Sequence, residues 1–398
     1  MHKFVITGGL GLLGRRILRH LVSTGGGRVR VMVLDAQLPE NRDPTATAPL
    51  GGAAVRGGVE DELAHLSLPG CQEIPVYEAE GLADDSNVAS AAAAVSFVGG
   101  DLGCSDVAAA IKSFVNGDGN GSASSLPSSS SSSLSVFHLA SVMSGQGEAD
   151  FDEAIRVNID GTRSLLNTCR EIGGRPRFVF ASSIAAFGGG DGSDGGSCSA
   201  QVSDDTKLLP QTTYGMTKAC AELLVNDCTR KGFIDGRIAR LPTVIVRPGP
   251  PNPAATGCFS SVPKAILHGQ HFVSPVSRDL RHPCIKLSSA VRGIIRLHDA
   301  SETEIGTRMT DRAITLPAVS LTLGDLEMSA LQLASELGRA PGKITYEPDD
   351  AIEAVVKAMP SAVQASGRTA GLGLIADGVG GSGALEMVNE YMKAGWLR

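Results

Sequence analysis

Eight residues near the start of the chain, Thr7-Gly-Gly-Leu-Gly-Leu-Leu-Gly14, limit its fold more than any other segment. Before them, Lys3 to Thr7 is a short apolar run rich in β-formers, the pattern of a buried strand. After them, Leu12, Leu13, Ile17, Leu18, Leu21 and Val22 recur at helical spacing. Val29 to Leu34 then forms a second apolar strand, ending at Asp35. Strand, glycine loop, helix and strand in that order open a doubly wound, parallel α/β (Rossmann) fold. The glycine spacing alone would say little: 49 of 398 residues are glycine, so G-x-G-x-x-G arises by chance roughly 0.7 times per chain. Its position informs. Missing side chains let the backbone approach a pyrophosphate, and the helix start offers free N–H groups and a partial positive charge. Gly8, Gly11 and Gly14, with Leu12 and Leu13 of the helix start, are the expected dinucleotide contacts; a tight turn without ligand is the plainer alternative. Asp35 stands 21 positions after Gly14. A carboxylate there accepts from both adenosine-ribose hydroxyls and repels a 2′-phosphate, which favours NAD over NADP.

The chain continues as alternating strands and helices. Residues 95–101 read as a strand ending in Asp101, 106–115 as a helix, 136–140 as a strand, 151–172 as a helix, and 177–181 as a strand. A long helix covers 213–231, and 238–246 is a strand bent at Pro242. Three low-complexity inserts interrupt this order, near 39–95, 116–135 and 188–201. The Ser/Gly-rich second insert cannot bury a core and reads as a mobile surface segment. From Arg247 the pattern changes to a proline-rich loop and shorter elements. The expected division is a cofactor-binding domain over 1–246 and a smaller α/β substrate-binding region over 247–398.

Composition narrows the function classes. Lys+Arg 35 against Asp+Glu 42 leaves a net charge of −7, without the basic footprint of a nucleic-acid binder. No run approaches the ~18 apolar residues of a membrane span. Eight cysteines are scattered with no C-x-x-C pair and no histidine at zinc spacing, so neither a metal site nor a disulfide framework is expected. Met-His-Lys runs directly into the first strand, leaving no room for a cleaved signal. The expectation is a reduced, cytoplasmic protein that binds neither nucleic acid nor membrane.

Tyr214 and Lys218 form Y-x-x-x-K at the start of the long helix. Spacing of i, i+4 puts both on one helix face, and chance supplies that pair only about 0.1 times per chain. A free tyrosine has a pKa of about 10. A cation at about 4 Å with an effective dielectric of 20 is worth ~4 kcal/mol, about 3 pKa units, which brings the phenol toward general-base range. Ser182 and Ser183 close the 177–181 strand, at the end that faces the ligand crevice in such sheets.

These segments together resemble the extended short-chain dehydrogenase/reductase (NAD-dependent epimerase/dehydratase) family. H-L-A-S at 138–141, V-N-I-D-G-T at 157–162, A-S-S-I-A-A-F-G at 181–188 and Y-G-M-T-K at 214–218 follow the glycine loop in family order. The resemblance implies Ser183 as the catalytic serine, Tyr214 as general base, and Lys218 as the residue that binds the nicotinamide ribose and lowers the tyrosine pKa. It also implies Asp101 and Leu102 at the adenine, Ala140 and Asn158 beside the cofactor, and a homodimer. Segments 142–152, 175–189, 209–215 and 240–252 are similar to family members that use NAD to oxidise the C2 hydroxyl of a four-carbon sugar acid, D-erythronate to 2-oxo-erythronate. Two departures favour simple hydride transfer on a small substrate. Thr243 stands where epimerases usually place a diphosphate-binding asparagine, and Ile184 and Ala185 follow Ser183 where dehydratases place acids. Arg247 is then a candidate carboxylate clamp, with a structural salt bridge as its alternative. Ser144 and Gln146 are candidates for lining the substrate, as is Thr243, while Arg240 reads as structural. A nucleotide-sugar 4-epimerase and a non-enzymatic NAD(H) sensor are the competing readings.

Overall fold

The computed structural model describes residues 2–25, 29–36, 94–116, 133–188, 201–249 and 255–394. The three expected inserts lie almost wholly outside the described residues, as do Pro250, Pro251 and Pro253.

Strand β1 (His2–Thr7), helix α1 (Leu12–Thr24) and strand β2 (Val29–Asp35) form the opening unit. They are followed by β3 (Ala94–Gly99), α2 (Ser105–Asn116), β4 (Leu134–His138), α3 (Ser144–Ala149), α4 (Phe151–Ala154), α5 (Gly161–Ile172) and β5 (Arg177–Ser183). Short β6 (Gln201–Val202), helix α6 (Thr213–Arg230) and β7 (Asp235–Leu241) complete this half. After Pro242 come β8 (Thr243–Ile245), α7 (Cys258–Leu267), β9 (His271–Ser274), β10 (Arg281–Lys286), α8 (Leu287–Asp299), α9 (Glu302–Ile305), β11 (Ala313–Thr315) and β12 (Val319–Thr322). Last are α10 (Leu323–Glu336), β13 (Lys343–Tyr346), α11 (Asp350–Lys357), β14 (Ala362–Val363), α12 (Gly367–Gly371) and α13 (Gly380–Lys393).

Seven parallel strands make the central sheet in the order β11-β7-β5-β4-β1-β2-β3. The order reverses between β1 and β4, and that crevice is where doubly wound folds bind ligands. Both faces are covered. Phe4, Ile6, Val31 and Val33 point into one core layer, and Val5, Met32 and Leu34 into the other, as period-two alternation requires. A second lobe packs around Phe259, Val262, Leu321, Leu326 and Met387.

Three sequence expectations change in detail. The strand expected over 95–101 ends at Gly99, so Asp101 lies in the following turn. The helix expected over 151–172 is one helical run with a π segment, Ile155–Asp160, in its middle. The bent strand at 238–246 is two strands in different sheets: β7 stays with β5, whereas β8 pairs with β10 in a three-stranded sheet. Pro242, which lacks an N–H, sits at the crossing. The main sheet also recruits β11 from beyond Arg247, against β7. Among the described residues six cysteines are all free, and no helix is long and apolar enough to cross a membrane.

Candidate active site

The glycine loop is shaped by close backbone approach. Gly8 has φ +66°, and a Cβ there would lie 2.8 Å from the Ala140 nitrogen. A Cβ on Gly14 would meet the Gly9 Cα at 2.5 Å and the Gly8 oxygen at 2.6 Å, so α1 is packed onto its own loop. Gly11 differs: among the described residues the one near neighbour a Cβ there would meet is the Gly8 oxygen, at 3.1 Å. It is exposed and caps α1 without a side chain. That open cradle at a helix N-terminus, with the Leu12 and Leu13 amides behind it, fits a dinucleotide pyrophosphate. One Asp35 oxygen accepts the Leu10 N–H at 3.1 Å, and the other has no partner among the described residues.

A buried hydrogen-bond chain ties this loop to the far side of the crevice. The Leu139 and Ala140 amides donate to Thr7 Oγ1, which bonds His138 Nδ1 at 2.7 Å. His138 Nε2 meets Thr162 Oγ1 at 2.8 Å, and that hydroxyl donates to the Asn158 carbonyl at 2.6 Å. The donor count makes His138 neutral with its proton on Nε2, and burial, with the nearby Lys218 cation, pushes its pKa down to about 3. The Asn158 side chain then accepts from the Val142 amide and Ser141, and donates to the Val142 carbonyl and Thr217. Thr217 in turn donates to the Tyr214 carbonyl.

Ser183 ends β5 and caps a 3-10 turn, accepting the Ala185 N–H at 3.2 Å. Helix α6 starts at Thr213, capped by Thr212. A Cβ on Gly215 would lie 2.2 Å from the Ala185 oxygen, so only glycine lets the first turn of α6 rest against that turn. This contact brings Tyr214 to Ser183. Burial holds the Tyr214 phenol above its ordinary pKa; a hydrogen bond from Ser183 and the positive Arg247 guanidinium both oppose that rise. Lys218 is 3% exposed. Its Nζ donates to the Ala181 carbonyl at 2.8 Å and lies 4.8 Å from the Phe180 ring centre and 5.6 Å from that of Tyr214. Burial lowers its pKa to about 7, against the pull of Glu222. The expected lowering of the phenol by Lys218 is therefore not found: burial outweighs it, and the cation that opposes the rise is Arg247, a pairing that no local sequence signal could have shown.

Arg247 is half-buried. Its Nε donates to the Val244 carbonyl at 3.0 Å and its backbone N–H to Ser260. Its two terminal nitrogens have no acceptor among the described residues, so the structural salt bridge is absent there. Arg240 is structural, as read: it is 2% exposed and pairs with buried Glu222.

Other candidates are tied to protein partners. Asp101 accepts the Gly103 N–H and pairs with Arg156. Leu102 is a core residue packed with Val107 and Leu165. Asn158 has its side chain satisfied by protein. Thr243 bonds buried His282 at 2.7 Å. Ser144 is buried in the first turn of α3, while Gln146 is exposed. Sequence reasoning missed Gly215 and Glu222.

The ordered Ser183, Tyr214 and Lys218 beside a dinucleotide cradle define a Rossmann enzyme of hydride-transfer type. The family model described as the NAD dependent epimerase/dehydratase family matches residues 88–305, and the chain belongs to that family; its cofactor is NAD. It is 37% identical to D-erythronate dehydrogenase of Cupriavidus necator over 258 residues, 65% of this chain and 74% of that protein. D-erythronate dehydrogenase of Haemophilus influenzae is 36% identical, over 57% of this chain and 69% of that protein. Among solved structures, a nucleoside-diphosphate-sugar epimerase from Agrobacterium tumefaciens aligns with a TM-score of 0.70 at 28% identity, covering 98% of this chain and 94% of that one.

Proposed function

We propose that this enzyme oxidises a secondary hydroxyl of a small sugar acid, D-erythronate to 2-oxo-erythronate. The observation that carries the reading is the pair of Arg247 terminal nitrogens that, among the described residues, have no acceptor and lie beside Tyr214, a bidentate carboxylate seat next to the proton acceptor. The similarity to two D-erythronate dehydrogenases supports the same substrate class.

Gly8, Gly11, Leu12, Leu13 and Gly14 hold the pyrophosphate and Asp35 the adenosine ribose. Ala140 closes the loop side, and Asn158 acts by holding the Ser141–Val142 turn. Asp101 and Leu102 border the adenine end. Ser183 orients the substrate alcohol and donates to the oxygen that becomes the carbonyl. Tyr214, as phenolate, takes the hydroxyl proton. The carbinol carbon gives its hydride to the oxidised nicotinamide, which is the chemistry the cofactor supplies. Lys218 supports the phenolate and the nicotinamide ribose. Arg247 grips the carboxylate, with Ser144, Gln146 and Thr243 at the border of the substrate space. In this reading residues 1–246 carry the cofactor and 247–398 cover the substrate, apart from β11. A cytoplasmic homodimer belongs to the same proposal; light scattering on the eluted protein tests the oligomer.

The deciding experiment measures NAD reduction with a panel of three- to six-carbon sugar acids and with UDP-sugars. Turnover of D-erythronate above all others is the expected result. Turnover of UDP-sugars alone, by an enzyme inert to free acids, overturns the reading.

A further inference from the structure

Beneath the site lies a buried carboxylate that the hydride-transfer scheme does not use. Glu222 is 1% exposed and sits one helical turn after Lys218 on α6. Ser182 donates to it at 2.5 Å. Arg240 reaches it through Nε at 3.1 Å to both oxygens and through a terminal nitrogen at 2.8 Å. Arg240 also bonds the Asp204 carbonyl and pairs with Asp311, and Arg368 pairs with the Asp204 carboxylate.

The charges of this cluster leave a remainder. Glu222, Asp204 and Asp311 are three anions against two guanidiniums, Arg240 and Arg368. Lys218 stands at i, i+4 from Glu222 on the same helix face, and the Glu222 charge acts on it. Lys218 needs such a partner. Its Nζ has a neutral carbonyl and two aromatic rings around it. His138, facing it from β4, is neutral and so brings no anion; Tyr214 on α6 is a phenol, and Arg247 acts as a positive charge on Tyr214. Among the groups acting on Lys218, Glu222 alone favours the charged ammonium. A buried ion pair is a poor device for stability, since apolar residues of similar volume serve as well or better. Its presence under the site calls for another role.

We propose that Glu222 is a positioning residue: its carboxylate, fixed by Ser182 and Arg240, is the counter-charge that keeps Lys218 an ammonium facing the nicotinamide ribose and Tyr214. The inference rests on the reading of Lys218 as the cofactor-side cation. Neither the hydride nor the substrate proton passes through Glu222.

The test compares full-length wild type with Glu222→Gln, by NADH fluorescence titration and by kcat on the preferred sugar acid, from about pH 6 to about pH 9. With the counter-charge gone, Lys218 loses its proton at lower pH. The variant-to-wild-type ratio for both readouts is expected to be closest to one at the acid end and to fall as pH rises through about 7, the range of the wild-type Lys218 ammonium, to about a tenfold reduction near pH 8. Glu222→Asp, whose charge is one methylene further off, should displace the profile the same way by less. A loss independent of pH, or no loss, overturns the proposal. Should the glutamine variant fail to fold, the aspartate variant decides: a displaced profile supports the proposal and an unmoved one overturns it. NADH titration requires no sugar acid, so a wild type inert to all acids sinks the proposed substrate and leaves this test standing.

Discussion

Replacing Arg247 by alanine isolates the group proposed to hold the substrate carboxylate. Among the described residues the side chain makes one hydrogen bond, from Nε to the Val244 carbonyl at 3.0 Å, worth about 1 kcal/mol. A melting-temperature change of only a few degrees is therefore expected. The substrate loses far more. A carboxylate pushed into a half-buried seat without its guanidinium forfeits roughly 3 kcal/mol, the lower range for truncating a buried charge pair. At 1.4 kcal/mol per decade that is about a hundredfold in kcat/KM. The loss should fall mostly on KM. A smaller part falls on kcat, because the same guanidinium helps hold down the Tyr214 phenol pKa. Arg247→Lys keeps the charge and loses the planar fork, so it should recover the kcat part and little of the KM part. Steady-state kinetics on D-erythronate, with NADH titration as the control for an intact cofactor site, provide the measurement. Unchanged kcat/KM in the alanine variant refutes the clamp.

Four further outcomes follow from the same geometry. Tyr214→Phe removes only the phenolic oxygen and should cut kcat by ~10² to 10⁴ while NADH binding stays near wild type; retained turnover rejects Tyr214 as the base. Gly14→Ala forces a Cβ to within 2.5 Å of the Gly9 Cα and should cost about 1–3 kcal/mol, read as a lowered denaturant midpoint together with weakened NADH binding. On the proposal that Asp35 holds the adenosine ribose, NAD should exceed NADP at least about tenfold in kcat/KM, or ~1.4 kcal/mol; parity would show that Asp35 does not contact the ribose. His282, like His138, is held neutral by burial with its pKa down at about 3. The unfolded chain takes up those protons below pH ~6.5, so each histidine's contribution is whole above that pH and falls by about 1.4 kcal/mol per unit toward pH 3. Urea unfolding at neutral and mildly acid pH should show this slope, and a flat profile would contradict it.

Much of the site is legible in the sequence because its signals are local. The glycine loop between Thr7 and Gly14, Asp35 at a strand end, and Tyr214 and Lys218 four residues apart all depend on helix and strand periods that span a few residues. Ser183 stands at a strand end that faces the crevice, but its assignment as the catalytic serine rests on the family resemblance. The doubly wound sheet is implied by the order of strands and helices. What the tertiary structure alone decides are pairings across long separations. Gly215 matters because the Ala185 carbonyl passes 2.2 Å from where its side chain would begin. Thr243 is engaged by His282, 39 residues on, and Glu222 by Arg240, 18 residues on. Asp101 turns to Arg156, and β11 returns to the sheet beside β7. No periodicity encodes such contacts, because a polar side chain's partner is chosen by which elements the packed core sets side by side. Arg247 shows both halves. The sequence supplies a guanidinium after β8; only the fold leaves its fork without an acceptor among the described residues and sets it beside Tyr214.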